Sequence, residues 1–468
     1  MNDPHLHLLI DDDEIDARWN LTRSITRPDA RTYDPILVPD RPWEGEAAGL
    51  WASVLYDAEL RQYRMWYRSI DLRRPRSDQN FLNYAVSQDG LTWEKPDLGL
   101  IEFEGSRDTN LIYRPNDLPG LRAMESHGVI VDEIGAPERR YKLPAYHAFE
   151  GNEGNGIFAL FSPDGLRWTR SQQPILPGAG DRHAALRDAA SGEYSIYTRR
   201  PRHRVGAPPP EVDGAAEALP YKRVIARTTS RDFLHWSDFQ TVLTNDEFDT
   251  RGTEFYSISP FHYGNRVVAF VDLYDTDVEK MWVTLASSLD GVHWNRPLRT
   301  ARALDLGAEG RWDDTWVNVT NNPPVREGRN LRFWYMGRDT AHGLPYRHGA
   351  MGSFLLGLDR FASLSAGQVT GRLVTDVVEA GGSRLFLNAA LKNGHARVEL
   401  RTGLGEPVPG RSLADCDEIR GDEIDHPVSW RGESDLGSLR GQPVRLQIDA
   451  TYGQLYAYRF GDAPRDLS

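Results

Sequence analysis

The sequence predicts an all-β protein, built as a five-bladed β-propeller followed by a C-terminal β-sandwich. Its 468 residues include 13 Trp, 19 Tyr, 16 Phe and 42 Gly, and aromatic residues favour strands whereas glycine favours turns. A turn motif recurs along most of the chain, which is typical of repeat folds. Beyond about residue 365 the motif stops while alternating strand patterns continue.

Charge and cysteine content exclude several classes of function. The 68 Asp and Glu outnumber the 55 Lys and Arg, giving a net charge of −13, whereas a protein that binds a nucleic-acid backbone needs a basic face. The single cysteine, Cys416, excludes a disulfide framework and a zinc site made of cysteines. No stretch reaches the ~18 apolar residues of a membrane-spanning helix, and the first residues lack a secretory pattern. We therefore expect a cytoplasmic protein without nucleic-acid or membrane partners, in an oligomeric state that the sequence leaves open.

The turn motif has the form Ser-x-Asp-Gly-x-x-Trp. It occurs at Ser87–Trp93, Ser162–Trp168 and Ser288–Trp294, with a variant at Ser230–Trp236 and a degenerate copy at Gly357–Leu364. Ser and Asp side chains bond back to the turn backbone, and Gly adopts the positive φ that such a turn needs. The motif therefore predicts five equivalent connections between strands.

An aromatic hairpin precedes each turn motif. The first is Tyr56–Tyr67, where turn residues lead into an alternating aromatic strand. Each unit thus comprises four strands, and five such units form a five-bladed propeller. The proline-rich stretch 200–222 is expected to be an exposed loop. The predicted boundaries are an N-terminal extension over 1–30, the propeller over 31–364 and the sandwich over 365–468.

The predicted site lies at one end of the central channel, where the innermost strands of the blades converge. The residues just before each innermost strand include a carboxylate in every blade. These carboxylates are Glu44, Glu125, Asp181, Glu254 and Asp314. The candidates for substrate binding are Trp43, Trp51, His127, Arg199, Tyr256, Trp316, Arg338 and His342. Aromatic rings offer apolar faces to a ligand, and Arg or His side chains can hydrogen-bond its hydroxyl groups.

Paired carboxylates around a pocket are what glycosidic cleavage requires, because one protonates the leaving oxygen while the other acts as base or nucleophile. We assign Glu254 as the general acid, Glu44 as the nucleophile or base, and Glu125 as the group that tunes charge and holds a hydroxyl. Glu is preferred because its side chain bonds to its own turn less readily than that of Asp. Asp181 and Asp314 are secondary candidates. Retaining and inverting cleavage differ in carboxyl separation, which a sequence does not give.

Motifs for metals and phosphates are missing from the sequence. It contains no His-Glu-x-x-His, no EF-hand loop and no phosphate-binding Gly-x-x-x-x-Gly-Lys-Ser/Thr. The acidic run Asp11–Glu14 is interpreted as a solvated tail. We therefore expect no cofactor and no catalytic metal, with a structural cation in the central channel left open.

Several motifs resemble those of five-bladed propeller glycoside hydrolases of the family 32 and family 43 type, and most of all a bacterial family 32-like branch. The resemblance is carried by the repeated turns, by Arg41–Glu44, by Glu138–Lys142 and by Arg360–Leu364, and it extends over nearly the whole chain from about residue 30. It implies a propeller, a C-terminal sandwich and a carbohydrate site with three acidic residues. The family 32 motifs Trp-x-Asn-Asp-Pro-Asn, Arg-Asp-Pro and Glu-Cys are absent, so the roles of individual residues do not carry over.

Three alternatives stay open on the sequence. A non-catalytic sugar-binding propeller would keep the aromatic and Arg lining without an acid–base pair. An inverting glycoside phosphorylase would use phosphate in place of water, and Arg199 and Arg338 could bind it. The third alternative is a sialidase, because sialidases are also propellers with a similar repeated turn. Their turn carries an extra residue before Gly and no arginine triad is evident in this sequence, but Tyr256 near Glu254 keeps that alternative open.

Overall fold

The computed structural model describes residues 3–114, 118–126, 128–203 and 221–467. These residues form strands, turns and three one-turn 3-10 helices, at Arg76–Asp78, Pro137–Arg139 and Gly437–Leu439, and they contain no α-helix. Within the described ranges, no helix has the length and apolar character needed to cross a membrane. The all-β class predicted from the aromatic and glycine content is confirmed.

The chain begins with four short strands. They are β1 (Leu6–Leu8), β2 (Ile15–Trp19), β3 (Leu21–Ile25) and β4 (Ala30–Arg31). The first three pair with strands from the C-terminal part of the chain, whereas β4 pairs with the last blade of the propeller. The residues predicted as an N-terminal extension therefore supply strands to both parts of the molecule.

Five units follow one another along the chain and form the blades. Their strands pair antiparallel within each blade, and a parallel bridge from Met281 to Trp316 joins blade 4 to blade 5 in one sheet. Blade 1 contains β5 (Ala47–Asp57), β6 (Gln62–Ile70), β7 (Asn80–Ser87) and β8 (Leu111–Tyr113). Blade 2 contains β9 (Leu121–Ser126), β10 (Ile130–Val131), β11 (Tyr141–Phe149), β12 (Gly156–Ser162), β13 (Thr169–Arg170) and β14 (Leu176–Pro177). Blade 3 contains β15 (His183–Arg187), β16 (Tyr194–His203), β17 (Tyr221–Ser230) and β18 (Gln240–Leu243). Blade 4 contains β19 (Thr253–Tyr263), β20 (Arg266–Asp275) and β21 (Lys280–Ser288). Blade 5 contains β22 (Trp316–Val319), β23 (Val325–Glu327), β24 (Asn330–Arg338) and β25 (Ala350–Gly357).

Each blade shares a hydrophobic core with the next, so the five units close into a ring. The shared cores contain Trp66 and Tyr141 between blades 1 and 2, Ile157 and Ile196 between blades 2 and 3, Tyr197 and Ile258 between blades 3 and 4, and Phe270 and Phe333 between blades 4 and 5. A fifth core joins blade 5 back to blade 1 through Trp334 and Met351 against Val54 and Met65. This is the predicted five-bladed propeller.

The ring is also closed by backbone pairing. Ala30 and Arg31 of β4 pair with Leu355 and Phe354 of β25, so the start of the propeller region supplies the outer strand of the last blade. Combining strands from both ends of a propeller in one blade leaves no open edge between first and last blades. Of the predicted loop 200–222, residues 200–203 belong to β16 and 221–222 to β17, and residues 204–220 lie outside the described residues.

The C-terminal part is a second antiparallel unit. It contains β26 (Ala362–Ala366), β27 (Gly371–Thr375), β28 (Val378–Glu379), β29 (Arg384–Thr402), β30 (Ile419–Pro427), β31 (Pro443–Thr451) and β32 (Gly453–Gly461). The long strand β29 pairs with β32 near its start and with β31 near its end. The strands enclose a core that includes Val398, Leu446, Trp430 and the buried Cys416. This is the predicted sandwich, and β1, β2 and β3 enlarge it.

The repeated turn connects neighbouring blades as well as neighbouring strands. In the first copy the Ser87 hydroxyl accepts a hydrogen bond from the Gly90 N–H at 2.8 Å, and Asp89 Oδ1 accepts two more from the following backbone N–H groups. Gly90 has φ +72°, as predicted. Its carbonyl accepts a hydrogen bond from the indole of Trp334 in blade 5. Equivalent bonds run from Trp66 to Gly165 and from Tyr197 to Gly291.

The acidic run Asp11–Glu14 is not a solvated tail, so that prediction was wrong. Arg266 on β20 donates to Asp11 at 2.6 Å and to Glu14 at 2.7 Å, and its side chain has no exposed surface. Sequence patterning does not reveal this contact, because the partner lies 255 and 252 residues away. The run therefore joins the N-terminal strands to blade 4.

Candidate active site

The innermost strands of the five blades begin at one end of the propeller, which we call the channel mouth. Three predicted carboxylates lie there: Glu125 on β9, Asp181 just before β15 and Glu254 on β19. They come from three consecutive blades. Their side chains are 14%, 30% and 10% exposed, so Asp181 is the most accessible of the three.

Two backbone irregularities place aromatic side chains at the mouth. Trp51 on β5 has φ +52°, an uncommon conformation for a bulky residue, and it lies at a shift in the register of β5 with β6, between Leu50 and Ser53. Tyr256 on β19 lies at a register shift with β20, between Phe255 and Ser257. Such bulges turn a side chain away from the regular alternation of a strand, and they are frequent beside active sites.

The aromatic side chains at the mouth form one cluster around Tyr256. Its ring centroid lies 6.3 Å from that of Trp51, 5.1 Å from Trp316 and 5.7 Å from His342. The Tyr256 hydroxyl is 3.2 Å from His342 Nε2. Tyr274 of β20 also packs on Tyr256, at 5.9 Å. Blades 1, 4 and 5 thus supply an aromatic base, whose Trp and Tyr rings are buried.

Every carboxylate at the mouth is paired with arginine. The pairs are Glu125 with Arg68 at 2.5 Å and with Arg182, Asp181 with Arg199 at 2.5 Å, and Glu254 with Arg223. The guanidinium carbons of Arg182, Arg199 and Arg223 also lie 5.6, 4.7 and 5.6 Å from the ring centroid of Tyr256. We call these carboxylates, arginines and aromatic residues the mouth cluster.

The arginines determine the ionisation of their neighbours. Burial alone would raise the pKa of Asp181, but Arg199 and Arg182 outweigh it, so the pKa lies below its ordinary value. Burial would likewise raise the pKa of Tyr256, and Arg182 and Arg199 again lower it below the ordinary value. Burial, together with the same two arginines, lowers the pKa of His342 to about 4. At neutral pH Asp181 is therefore a carboxylate and His342 is uncharged.

A second kind of acid lies on β20, the strand that pairs with innermost strand β19 of blade 4. Asp272 on β20 has no exposed surface, and its Oδ2 accepts a hydrogen bond from the Ser257 hydroxyl at 2.5 Å. Burial raises the pKa of Asp272 to about 7. Among the described residues Asp272 Oδ1 has no hydrogen-bond partner. A carboxyl group with a raised pKa beside a cleft is a common feature of functional sites, although buried structural acids show it as well.

Two predicted site residues lie away from the mouth cluster. Glu44 has no exposed surface, and its oxygens accept hydrogen bonds from Tyr67, from Lys95 and from two backbone N–H groups. Trp43 is buried and donates to Asn110. A carboxylate with all these partners stabilises its own loop, and in this state it offers no oxygen to a ligand.

Asp314 and Arg338 also bond locally. Asp314 accepts hydrogen bonds from the Gly310 N–H and from the Thr315 hydroxyl, which is a turn-capping arrangement. Arg338 lies over Trp316 at 4.2 Å and donates to backbone carbonyls of the loop that carries His342. His127 lies outside the described residues.

Sequence reasoning missed Arg68, Arg182 and Arg223. Arg182 directly follows Asp181. Arg68 and Arg223 lie on blade strands in which polar and apolar residues alternate, a pattern that usually places the polar side chains in solvent. The available signal was the presence of several arginines on strands that are otherwise buried, such as Arg68 in β6. Within the described ranges, no group of three or more His, Cys, Asp or Glu side chains could hold a metal ion.

A cavity of about 720 Å³ lies at the opposite end of blades 3 and 4. Its lining includes Asp188, Tyr197, Arg227, His262 and Asp290. These residues belong to the hairpin and turn ends of the blades and not to the starts of the innermost strands. None of the predicted site residues in the described ranges lines this cavity, so the mouth cluster remains the candidate site.

No protein-family model matches the chain, and no curated protein matches it. Among solved structures it is similar to a protein described as a glycoside hydrolase, with 12% identity and a TM-score of 0.49 over 70% of this chain and 92% of the other. It is similar to an N-acetylgalactosamine deacetylase from F. plautii, with 14% identity and a TM-score of 0.45 over 73% and 97%. It is also similar to a glycosyl hydrolase from Bacteroides ovatus, with 13% identity and a TM-score of 0.46 over 76% and 98%. At such values the functional argument depends on the residues of this chain.

Proposed function

We propose that the protein is an enzyme that cleaves glycosidic bonds at the channel mouth. The observation that carries this proposal is the convergence of Glu125, Asp181 and Glu254, from three consecutive blades, beside an aromatic base formed by Trp51 and Tyr256. Two or more neighbouring carboxylates are what such cleavage needs. Trp51 and Tyr256 are each 3% exposed, so the aromatic base forms a buried layer next to these carboxylates.

The reaction requires one carboxyl group that is protonated and a second one that is ionised. In direct hydrolysis the base takes a proton from water, and the water oxygen bonds to the anomeric carbon. The bond to the leaving oxygen breaks, and the proton of the acid goes to that oxygen. In the alternative route a carboxylate first bonds to the anomeric carbon, and water then releases the sugar.

Asp181 suits the role of base or nucleophile better than the other two carboxylates. It is the most exposed, and Arg199 holds its pKa below the ordinary value, which favours the charged form. Glu254 remains our candidate acid. Its side chain is 10% exposed and forms an ion pair with Arg223. Glu125, between Arg68 and Arg182, suits the holding of a hydroxyl and the tuning of charge.

Glu44 was the first choice for nucleophile on sequence grounds, and Asp314 was a secondary candidate. Their partners favour structural roles in this state, so we place them after Asp181. A cofactor does not enter the proposed reaction.

The test is a screen of aryl furanosides and pyranosides, including carboxylated sugars, with the wild type and three variants: Asp181→Asn, Glu125→Gln and Glu254→Gln. Each variant is expected to lower kcat/KM by at least about a hundredfold, which is the usual scale for an acid or base. The matched control is Asp57→Asn. Asp57 is a partly buried carboxylate paired with Arg64 near the opposite end of blade 1, and its loss should leave kcat within about twofold. Full activity in Asp181→Asn and Glu254→Gln would contradict the proposal.

Two other functions give different results in the same screen. A non-catalytic sugar-binding propeller would bind a glycoside without turnover in any condition. A phosphorylase would need added phosphate for turnover and would release a sugar phosphate. The arginines of the mouth cluster favour the second of these as the alternative to hydrolysis, because guanidinium groups suit phosphate.

A further inference from the structure

We propose that the channel mouth binds an anionic group, either a carboxylate carried by the sugar substrate or an inorganic oxyanion such as phosphate. This inference rests on the proposed function for the location of the site, and it names the chemistry of what the site binds. It is carried by the arginines of the mouth cluster.

The first step is the balance of charge. Arg68, Arg182, Arg199 and Arg223 contact three carboxylates, Glu125, Asp181 and Glu254, so four positive groups meet three negative ones. A fifth arginine, Arg338, lies over Trp316 on another side of the aromatic base. His342 is uncharged at neutral pH, and Asp272 is not fully ionised. A buried positive charge without a counter-ion is costly, and a bound anion removes that cost.

The second step is the balance of hydrogen-bond donors. Four guanidinium groups carry about 20 N–H donors, whereas three carboxylates offer about 12 acceptor positions. The excess is visible at Arg199 and Arg68: Arg199 Nη1 and Arg68 Nε are buried, and no described residue accepts a well-directed hydrogen bond from them. The Tyr256 hydroxyl beside Arg199 is shared with His342. Carboxylate and phosphate oxygens are the acceptors that match such planar donors.

The third step is access. Asp181 and Arg199 are 30% and 14% exposed, and they form the most open pair of the cluster. The aromatic side chain next to Arg199 is Tyr256, at 4.7 Å. Tyr256 is itself only 3% exposed. A ligand therefore reaches the cluster at Asp181 and Arg199, where an anionic group would meet the Arg199 guanidinium. The Trp316 indole N–H is buried without a partner among the described residues, so it adds to the excess of donors in the cluster but is not exposed at its surface.

The experiment measures binding directly, by calorimetry at constant ionic strength, with three probes: inorganic phosphate, glucuronate and glucose. Glucuronate and glucose differ only at the carboxylate, so their comparison isolates the charge. The expected result is that at least one anion binds ten or more times as tightly as glucose. Arg199→Met should remove most of this preference, and Arg199→Lys should retain part of it because the charge remains.

The matched control is Arg302→Met, which removes an arginine that lies over a tryptophan, Trp282, away from the mouth. It should leave anion binding unchanged. If Arg199→Met fails to fold, Asp181→Asn provides the opposite test. It removes the carboxylate that occupies Arg199 and should increase anion affinity several-fold, although it abolishes the proposed catalysis.

The probes distinguish the sources of the anion. Tighter binding of glucuronate than of phosphate supports a carboxylated sugar, and binding of phosphate alone supports an inorganic co-substrate. If neither anion binds more tightly than glucose, and Asp181→Asn does not change this, the inference is wrong. Cleavage of neutral glycosides without anion binding would leave the proposed function standing. Anion binding without any cleavage would overturn the proposed function alone.

Discussion

Glu44 is a fully buried carboxylate that shares Lys95 with a neighbour, Asp40. Lys95 Nζ lies 2.7 Å from Glu44 and 2.6 Å from Asp40, but the side chain of Asp40 is 60% exposed and that of Glu44 is not exposed at all. Breaking a buried pair leaves an unpaired charge, so Glu44→Gln is expected to lower the free energy of unfolding by about 3 kcal/mol or more. Asp40→Asn should lower it by less than about 1 kcal/mol.

Chemical denaturation of the two variants measures this difference. Equal effects would mean that the burial of Glu44 does not matter to stability. If Glu44→Gln instead removes activity while stability is unchanged, Glu44 would return as the nucleophile or base that its sequence context indicated.

Asp272 should make stability fall as pH rises. Burial raises its pKa from 3.8 to about 7, so the folded state binds a proton that the unfolded state has released between these values. Stability due to this proton is full below about pH 4 and is lost as pH rises through about 7, with an amplitude of about 4 kcal/mol. Asp272→Asn should remove that slope.

Thermal denaturation of wild type and Asp272→Asn between pH 4 and 8 measures the effect. The control is Asp57→Asn. Arg64 and backbone N–H groups hold the pKa of Asp57 below its ordinary value against the effect of burial, so its contribution has the opposite sign and is lost as pH falls. Parallel curves for wild type and Asp272→Asn would show that Asp272 does not take up the proton.

At the residue scale, the sequence predicted the types of side chain at the mouth better than their pairing. Glu125, Asp181, Glu254, Trp51 and Tyr256 were all selected from their position before or within innermost strands. Which arginine meets which carboxylate depends on contacts between blades that are far apart in the chain, and no local pattern encodes them. Glu44 illustrates the same limit, because its partners Tyr67 and Lys95 lie 23 and 51 residues away in the chain.

The repeated turn is the element that the sequence specified most completely, and its glycine carries a prediction of its own. Gly165 has φ +77°, and a Cβ there would lie 2.8 Å from the Trp66 ring, whereas Gly178 has φ +66° with open space around it. Both Gly→Ala substitutions strain the backbone by about 1–2 kcal/mol. Gly165→Ala should cost a further 1–3 kcal/mol or so, because it also displaces Trp66.

The difference between the two free energies of unfolding isolates the contact between blades. It should shrink in a Trp66→Phe background, where the ring edge that meets the new methyl group is smaller, and the remainder comes from Arg64 and Tyr141, at 3.0 and 3.3 Å from the added Cβ. If Gly165→Ala and Gly178→Ala are equally destabilising in the wild-type background, the turn does not connect blades 1 and 2 in the way described.

Strand irregularities explain what the repeat could not predict. The positive φ of Trp51 and the register shift at Tyr256 both interrupt the alternation from which strand faces are inferred. The sequence places both residues on innermost strands, but it does not show that the strand backbone is irregular at these two positions. The two strands were therefore predictable from the sequence. The directions in which Trp51 and Tyr256 point were not.

At the scale of the whole molecule, the propeller and the sandwich are joined through the N-terminal strands. Leu6, Leu8 and Ile10 pack in one core with Phe261 of blade 4 and Ala457 of β32. The sequence predicted two parts and a separate extension. It could not assign the extension to either part, because short strands such as β1 carry no register information of their own.

Arg266 tests this connection. It donates to both Asp11 and Glu14 from a side chain with no exposed surface, so Arg266→Met leaves two carboxylates without their cation. The expected loss in the free energy of unfolding is about 3–5 kcal/mol. The control is Arg372→Met. Arg372 donates two hydrogen bonds to Asp449, but its side chain is 35% exposed, so its loss should cost less than about 1 kcal/mol.

Adding Asp11→Asn and Glu14→Gln to Arg266→Met should recover part of the loss, because the uncompensated charges are then removed. Since the two parts share a core, calorimetry should show one transition for the wild type. If Arg266→Met is no more destabilising than Arg372→Met, the N-terminal strands do not hold the propeller and the sandwich together through this contact.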